Sequence, residues 1–167
     1  MPILKHKRFT LRPMKPSDAQ AYLEVHNDSE AKKNFMSVPK NIIEAKKELK
    51  HDIKNGLNFA IVFENNVAGF VHLELNKKPR YKHSAIIGYG IIKKYRGKGL
   101  TTAAVKMVTD YGFKKLKLRR ISGMCRTFNK ASARVLEKAG YKLEGILRKN
   151  KFKNRKYLDD MLWAKVK

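Results

Sequence analysis

Lys93-Lys94-Tyr95-Arg96-Gly97-Lys98-Gly99-Leu100-Thr101 joins two segments of opposite character. Before it runs Ser84 to Ile92, the most apolar strand-like stretch in the chain, with glycines at 88 and 90. After it comes the cleanest helical period: Leu100, Ala103, Ala104, Met107, Val108 and Tyr111 fall at i, i+3, i+4, i+7, i+8 and i+11. Glycines at a helix N-terminus let several backbone N–H groups converge on one anion, and the helix dipole favours negative charge there. Lys93, Lys94, Arg96 and Lys98 add positive charge. On physical grounds alone, the stretch reads as a pyrophosphate cradle between a strand and a helix.

Two familiar phosphate loops do not fit it. A P-loop needs G-x-x-x-x-G-K-[ST], but Ile92 stands where the first glycine belongs and Gly99 follows Lys98. A dinucleotide fingerprint needs a third glycine or alanine, and that position is Thr102 for the Gly97 pair and Lys93 for the Gly88 pair.

Working outward, Phe9–Arg12 reads as a short strand before Pro13. Ser17-Asp18-Ala19-Gln20 is a capping-box pattern that predicts a helix to about His26. Asn41 with Glu44 predicts a second helix, ended by Gly56. Phe59–Phe63 and Val67–Leu75 read as strands about an Asn65-Asn66 turn, and Lys77–Lys82 as a basic turn. Arg119–Arg126 reads as a strand, and Asn129 caps a short helix to Ala139 that Gly140 closes. Tyr141–Leu147 and Leu158–Val166 read as a terminal pair of strands. The order is mixed α/β, of the α+β kind, with hairpins at both ends and helix-bearing crossovers between. No repeat or linker divides residues 1–167, so one domain is expected.

Lys and Arg number 39 against 14 Asp and Glu, for a net charge of +25. Such a field draws nucleic acid, ribosomes, anionic cofactors or acidic proteins, and repels polyamines. The one cysteine, Cys125, excludes an internal disulfide and a multi-cysteine zinc site, and no metal is expected. The longest apolar run is far short of the ~20 residues that span a bilayer. The N-terminal residues lack the apolar core of a signal peptide, so the expected location is the cytoplasm, with no membrane partner.

Lys94-x-x-Gly97-x-Gly99 resembles the Q/R-x-x-G-x-G/A acyl-CoA loop of the GNAT acetyltransferases, with lysine for the usual first residue. Asn129–Tyr141 is similar to the second GNAT motif, N-x-x-S…GF, at matching spacing. Leu143-Glu144-Gly145 and Asp159–Ala164 look like the closing segments of the ribosomal-protein N-terminal acetyltransferases of the RimJ/RimL type. The resemblance implies a GNAT fold: a central, mostly antiparallel twisted sheet, splayed after its fourth strand and flanked by about four helices. It implies acetyl-CoA as co-substrate. Its pantetheine would pair with backbone near Gly90, Ile91 and Ile92, and its pyrophosphate would sit on Arg96, Gly97, Lys98, Gly99, Leu100 and Thr101. Asn129 would contact the pantetheine arm, a role compatible with capping its helix.

The resemblance also sets the chemistry: a primary amine attacks the thioester directly. A backbone N–H around Ile91 is the expected oxyanion donor. The tyrosine that often serves as general acid would fall at Leu136, so Ser132 is the expected proton donor to the thiolate; the alternative for Ser132 is a local helix-start hydrogen bond. The usual glutamate would fall at Ile86, leaving Glu74, His72, Asp159 and Asp160 as candidate bases. At pH 7 an α-amine of pKa ~7.7–8.0 is roughly 10–15% neutral, a lysine amine only about 0.04%. A site without a strong base therefore suits the N-terminus of a protein, with that of a ribosomal protein foremost. The alternatives are a small-molecule amine acceptor, or a non-catalytic GNAT-fold module that binds RNA or ribosomes. Arg148, Lys149, Lys151, Lys153, Arg155 and Lys156, with Phe152 and Tyr157 among them, would capture RNA or an acidic protein, or else form a solvated tip with both rings turned inward; Arg80, Lys82 and His83 would extend that surface.

Overall fold

The computed structural model describes residues 1–167. Eight strands form one sheet in the order β1-β2-β3-β4-β5-β6-β8-β7. β1 (Leu4–Lys5), β2 (Thr10–Pro13), β3 (Leu57–Phe63), β4 (Asn66–Leu75) and β5 (Ser84–Ile91) are successive antiparallel neighbours. β6 (Arg120–Arg126) runs parallel to β5, and β8 (Lys156–Val166) lies between β6 and β7 (Lys142–Lys153), antiparallel to both. A parallel neighbour needs a crossover, and the crossover from β5 to β6 is α4 (Leu100–Lys114). The other helices are α1 (Ala19–Asn27), α2 (Ser29–Asn34), α3 (Ile42–Asn55) and α5 (Lys130–Lys138).

Local chemistry accounts for most boundaries. The Asn41 side chain accepts from Ile43 and Glu44 N–H, while Glu44 accepts from Lys40 N–H, closing the α3 start. Gly140, at φ +85°, ends α5 as Tyr141 N–H reaches back to Leu136 C=O. Three expectations change. The Ser17–Gln20 pattern does not cap α1: Asp18 instead accepts from Lys15 N–H and pairs with Arg12. The β3–β4 turn centres on Glu64 and Asn65, both at positive φ, and Asn66 already opens β4. β7 and β8 run on through the basic segment to a tight turn at Asn154-Arg155, both left-handed.

The core is one cluster of 33 buried residues. Gly90 packs toward Val25, Phe70 and Phe35 on the α1 side of the sheet, while Gly112 of α4 meets Ile121 and Leu73 on the other. Gly69 faces backbone alone: a Cβ there would stand 2.2 Å from the Gly90 carbonyl oxygen and 2.9 Å from Ile91 Cα. Backbone cannot swing aside as a side chain can. Gly69→Ala is therefore expected to destabilise by about 3 kcal/mol, read as a fall in the urea midpoint at unchanged slope.

β5 and β6 pair only where Ser84–Ile86 meets Arg120–Ser122. They then part, after the fifth strand by count, or the fourth if the two-residue β1 is set aside. Arg120 N–H bonds His83 C=O, and Ile92 N–H bonds Ala68 C=O. The alternation of backbone groups along β5 then turns the even residues toward β4 and the odd ones toward β6. Past the divergence, the N–H and C=O of Tyr89 and Ile91 point into the opening, where no strand meets them.

Candidate functional site

The opening is the floor of a cleft of ≈ 680 Å³. Gly90 and Ile91 line one wall, and Cys125, Asn129 and Ser132 the other. Arg96, Gly97, Gly99, Leu100 and Thr101 line the end nearest α4. Gly97 and Gly99 hold φ of +75° and +74°, a region that favours glycine, and a Cβ on either would meet nothing within 4 Å. These glycines thus serve backbone conformation, not tight packing. No side chain caps α4, so the N–H groups of its first turn remain unpaired at the cleft. Unpaired strand backbone at one end and a bare helix terminus at the other match an extended ligand with an anionic end.

Two residues of the expected set stand elsewhere. Ile92 is buried with its N–H spent on Ala68, and the even register of Gly90 likewise turns its N–H to β4. Ile91 is the member of that trio whose N–H faces the opening. Lys98 does not line the cleft; its ammonium sits 5.1 Å from the Phe63 ring centroid and 5.7 Å from that of Tyr95.

Ser132 lies in the first turn of α5. Its N–H donates to Asn129 Oδ1 at 3.1 Å, so Asn129, which lines the cleft, caps the helix. The Tyr89 hydroxyl lies 2.8 Å from Ser132 Oγ and 3.1 Å from Ser132 C=O. A carbonyl only accepts, so both contacts are satisfied when Tyr89 O–H donates to it and Ser132 Oγ–H donates to Tyr89. Burial pushes the Tyr89 phenol well above its ordinary pKa, so it stays protonated. Burial also raises the Cys125 thiol, keeping it in the unreactive protonated form. Sequence reasoning missed Tyr89: it precedes Ser132 by 43 residues, and only the splayed sheet brings them together.

The chain's residues 8–142 match the family model described as Acetyltransferase (GNAT) domain. The chain belongs to the GNAT acetyltransferase family. It is 32% identical over 160 residues to a probable N-acetyltransferase, YjcK, of Bacillus subtilis, covering 89% of this chain and 88% of that one. Among solved structures it is similar to a GNAT-family acetyltransferase of Bacillus anthracis, with a TM-score of 0.87, 26% identity, and coverage of 99% and 98%. It shares its fold with RimL, a ribosomal alpha-N-protein acetyltransferase solved with coenzyme A: TM-score 0.86, 22% identity, coverage 99% and 98%. The chain is thus a GNAT N-acetyltransferase, an enzyme class that draws its acetyl group from acetyl-CoA.

In this acetyltransferase the candidate bases separate by position. Asp160 is buried against Arg126 and accepts from Asn150 Nδ2 at 2.7 Å; Asp159 accepts from Lys149 N–H. Both carboxylates shape β7 and β8. Glu74 is exposed, yet it is the cross-strand partner of Ile86, so a carboxylate stands one strand away from the expected glutamate position. His72 lines the cleft with its ring laid over Gly88, where a Cβ would fall 2.3 Å from His72 Cε1. Burial lowers its pKa, so the imidazole is neutral at pH 7.

α2, which sequence periodicity did not suggest, bridges the two ends of the cleft. Its cap, Asp28, accepts from Glu30 and Ala31 N–H and pairs with Arg96 of the glycine loop. At its far end Lys153 of β7 donates to the Lys32 and Phe35 carbonyls. Desolvation lowers the Lys153 pKa, with Arg126 adding to the shift. Lys151 lines the cleft, whereas Phe152 and Tyr157 are not turned inward: they are 58% and 63% exposed. Arg80, Lys82 and His83 do not extend the hairpin. They lie by the start of β6, which pairs with Val166 at the opposite end of β8 from the turn. No helix is long and apolar enough to cross a membrane.

Proposed function

We propose that this GNAT protein acetylates the N-terminal α-amine of a protein, a ribosomal protein foremost, by direct attack within a ternary complex. The observation that carries the reading is the Ser132 hydroxyl, held by Tyr89 on the wall facing Ile91. The Ile91 N–H would stabilise negative charge on the carbonyl oxygen as the amine attacks. Ser132 would swing its Oγ–H from Tyr89 to the sulfur and protonate the departing thiolate, while His72, directly or through water, takes the proton from the amine. His72 then passes that proton through water to the Ser132 oxygen, so the proton lost by the amine balances the one gained by the thiolate and both residues return to their starting state. The α4 terminus with Gly97 and Gly99 would hold the pyrophosphate, with Arg134 and Lys138, one turn apart on α5 along the same cleft, adding cations. Acetyl-CoA supplies the acetyl group when bound.

A neutral histidine is a weak base, sufficient for an α-amine and poor for a lysine. The net charge of +25 disfavours a polyamine acceptor and favours acidic or ribosomal partners.

Two measurements test this. In a thermal-shift titration with acetyl-CoA, CoA, ATP and NAD, only the CoA species should raise Tm. Saturation at about 100 Kd contributes about 2.7 kcal/mol, or roughly 5–10 °C for a chain of this size. Next, peptides with one free α-amine are compared with N-blocked peptides carrying one lysine. The α-amine should react at least about 100-fold faster at pH 7. That preference should shrink toward about 25-fold at pH 9, because deprotonation of the α-amine saturates while that of lysine keeps rising. Faster transfer to lysine at pH 7 would overturn the α-amine reading.

A further inference from the structure

We propose that the outward face of the β7–β8 hairpin is a stacking surface for single-stranded RNA, separate from the cleft. The inference deepens the anionic-partner side of the proposed function and does not depend on acetyl transfer. Strand alternation divides the hairpin into two faces. Lys151 and Lys153 share one, which forms the wall and latch of the cleft. Phe152 and Tyr157, directly cross-strand from each other, share the opposite one. Their ring centroids are 5.0 Å apart at an interplanar angle of 51°. The left-handed pair Asn154-Arg155 closes the hairpin tightly, which fixes the platform.

The charge around these rings has one sign. Arg148, Lys149 and Arg155 are exposed and enter no ion pair, and Lys149 Nζ lies 5.9 Å from the Tyr157 ring centroid, whereas Lys156, cross-strand from Lys153, belongs to the other face. Between Glu144 and Asp159 there is no acidic residue. The Asp159 carboxylate is turned to Lys149 N–H, and that of Asp160 is buried. An aromatic cross-strand pair steadies a hairpin, but that does not require two rings more than half exposed inside a cluster of unpaired cations. An acidic peptide would satisfy the cations and leave both rings in water. Unpaired bases satisfy both: phosphates meet the cations, and each base has a flat face for a ring. Because the cleft lies on the other face, RNA can dock here while the cleft stays open.

The test is fluorescence anisotropy of a labelled oligouridylate about a dozen nucleotides long, titrated with the full chain over about 50–200 mM KCl. Three or four phosphate contacts predict a slope of log K against log salt of about −2 to −3. Phe152→Val with Tyr157→Val keeps strand-favouring residues in both strands; it should weaken binding at least about ten-fold at every salt and leave the slope unchanged. Lys149→Gln with Arg155→Gln should make the slope shallower by about 1.4. If the aromatic variant binds as tightly as the parent, or if an oligoglutamate of equal length competes as well as the RNA does, the proposal fails. Ultraviolet cross-linking of the unmodified chain to oligouridylate, mapped by mass spectrometry, guards against a misfolded variant. Adducts are expected on Phe152 or Tyr157, and adducts confined to other residues would overturn the proposal. The acetyl-CoA thermal shift on the same variants should match the parent, so failure of the coenzyme reading and failure of the RNA reading remain distinguishable.

Discussion

Ser132→Ala is expected to lower kcat for acetyl transfer by about 100-fold or more, with KM for acetyl-CoA changed less than about two-fold. The variant removes the Oγ that meets Tyr89 but keeps the Ser132 N–H that Asn129 caps, so the start of α5 survives. A thiolate leaving unprotonated is the penalty, and it falls on the chemical step. Asn129→Ala should separate the roles in the opposite sense. Loss of the cap costs about 1 kcal/mol of stability, and loss of the amide raises KM for acetyl-CoA while kcat changes less. Steady-state kinetics on a free-N-terminus peptide read both. A Ser132→Ala enzyme with unchanged kcat would leave Ser132 the structural role of closing a hydrogen bond to Tyr89.

The second large effect concerns stability. Arg126 and Asp160 are cross-strand partners on β6 and β8, and their side chains are 6% and 3% exposed. Arg126 also donates to the Met36 sulfur, which ties the segment after α2 to the sheet. Arg126→Met is expected to cost about 3–5 kcal/mol, since it strands a buried carboxylate with Asn150 as its one side-chain donor. Adding Asp160→Leu should recover much of that loss, because two apolar side chains of similar bulk need no ion pair. Urea unfolding of the single and double variants measures the coupling. By contrast, breaking Lys33–Glu30, where both side chains are about 60% exposed, should change stability by less than about 0.5 kcal/mol.

Local signals carried much of this architecture. The α4 period, the Asn41 cap and the Gly140 stop each act within a few residues, and each appears where its chemistry predicts. α2 escaped because Ser29–Asn34 buries one residue, Ala31, and is held by Arg96 and Lys153 from distant strands and loops. The true length of the hairpin was hidden by its cations, since alternation is hard to see when lysine and arginine occupy both faces. In the site, the glycine loop and the Asn129–Ser132 pair are near neighbours in sequence. Tyr89 is not, nor is the nearness of Glu74 to Ile86, which depends on strand register. The division of β5 into residues that face β4 and residues that face the opening also follows from pairing, and no composition of Gly90, Ile91 and Ile92 reveals it.

The splay between β5 and β6 bears on how freely such a chain can change over time. The walls nearest the divergence offer peptide groups of Tyr89 and Ile91, and the α4 end offers peptide groups at a helix terminus. Peptide groups are the same whatever side chain they carry. A ligand gripped this way constrains the path of the chain far more than its spelling, apart from the positions where φ demands glycine. A fold can then hold a TM-score of 0.87 at 26% identity. Side chains around the acceptor end are left free to diversify, which lets one scaffold serve many amines.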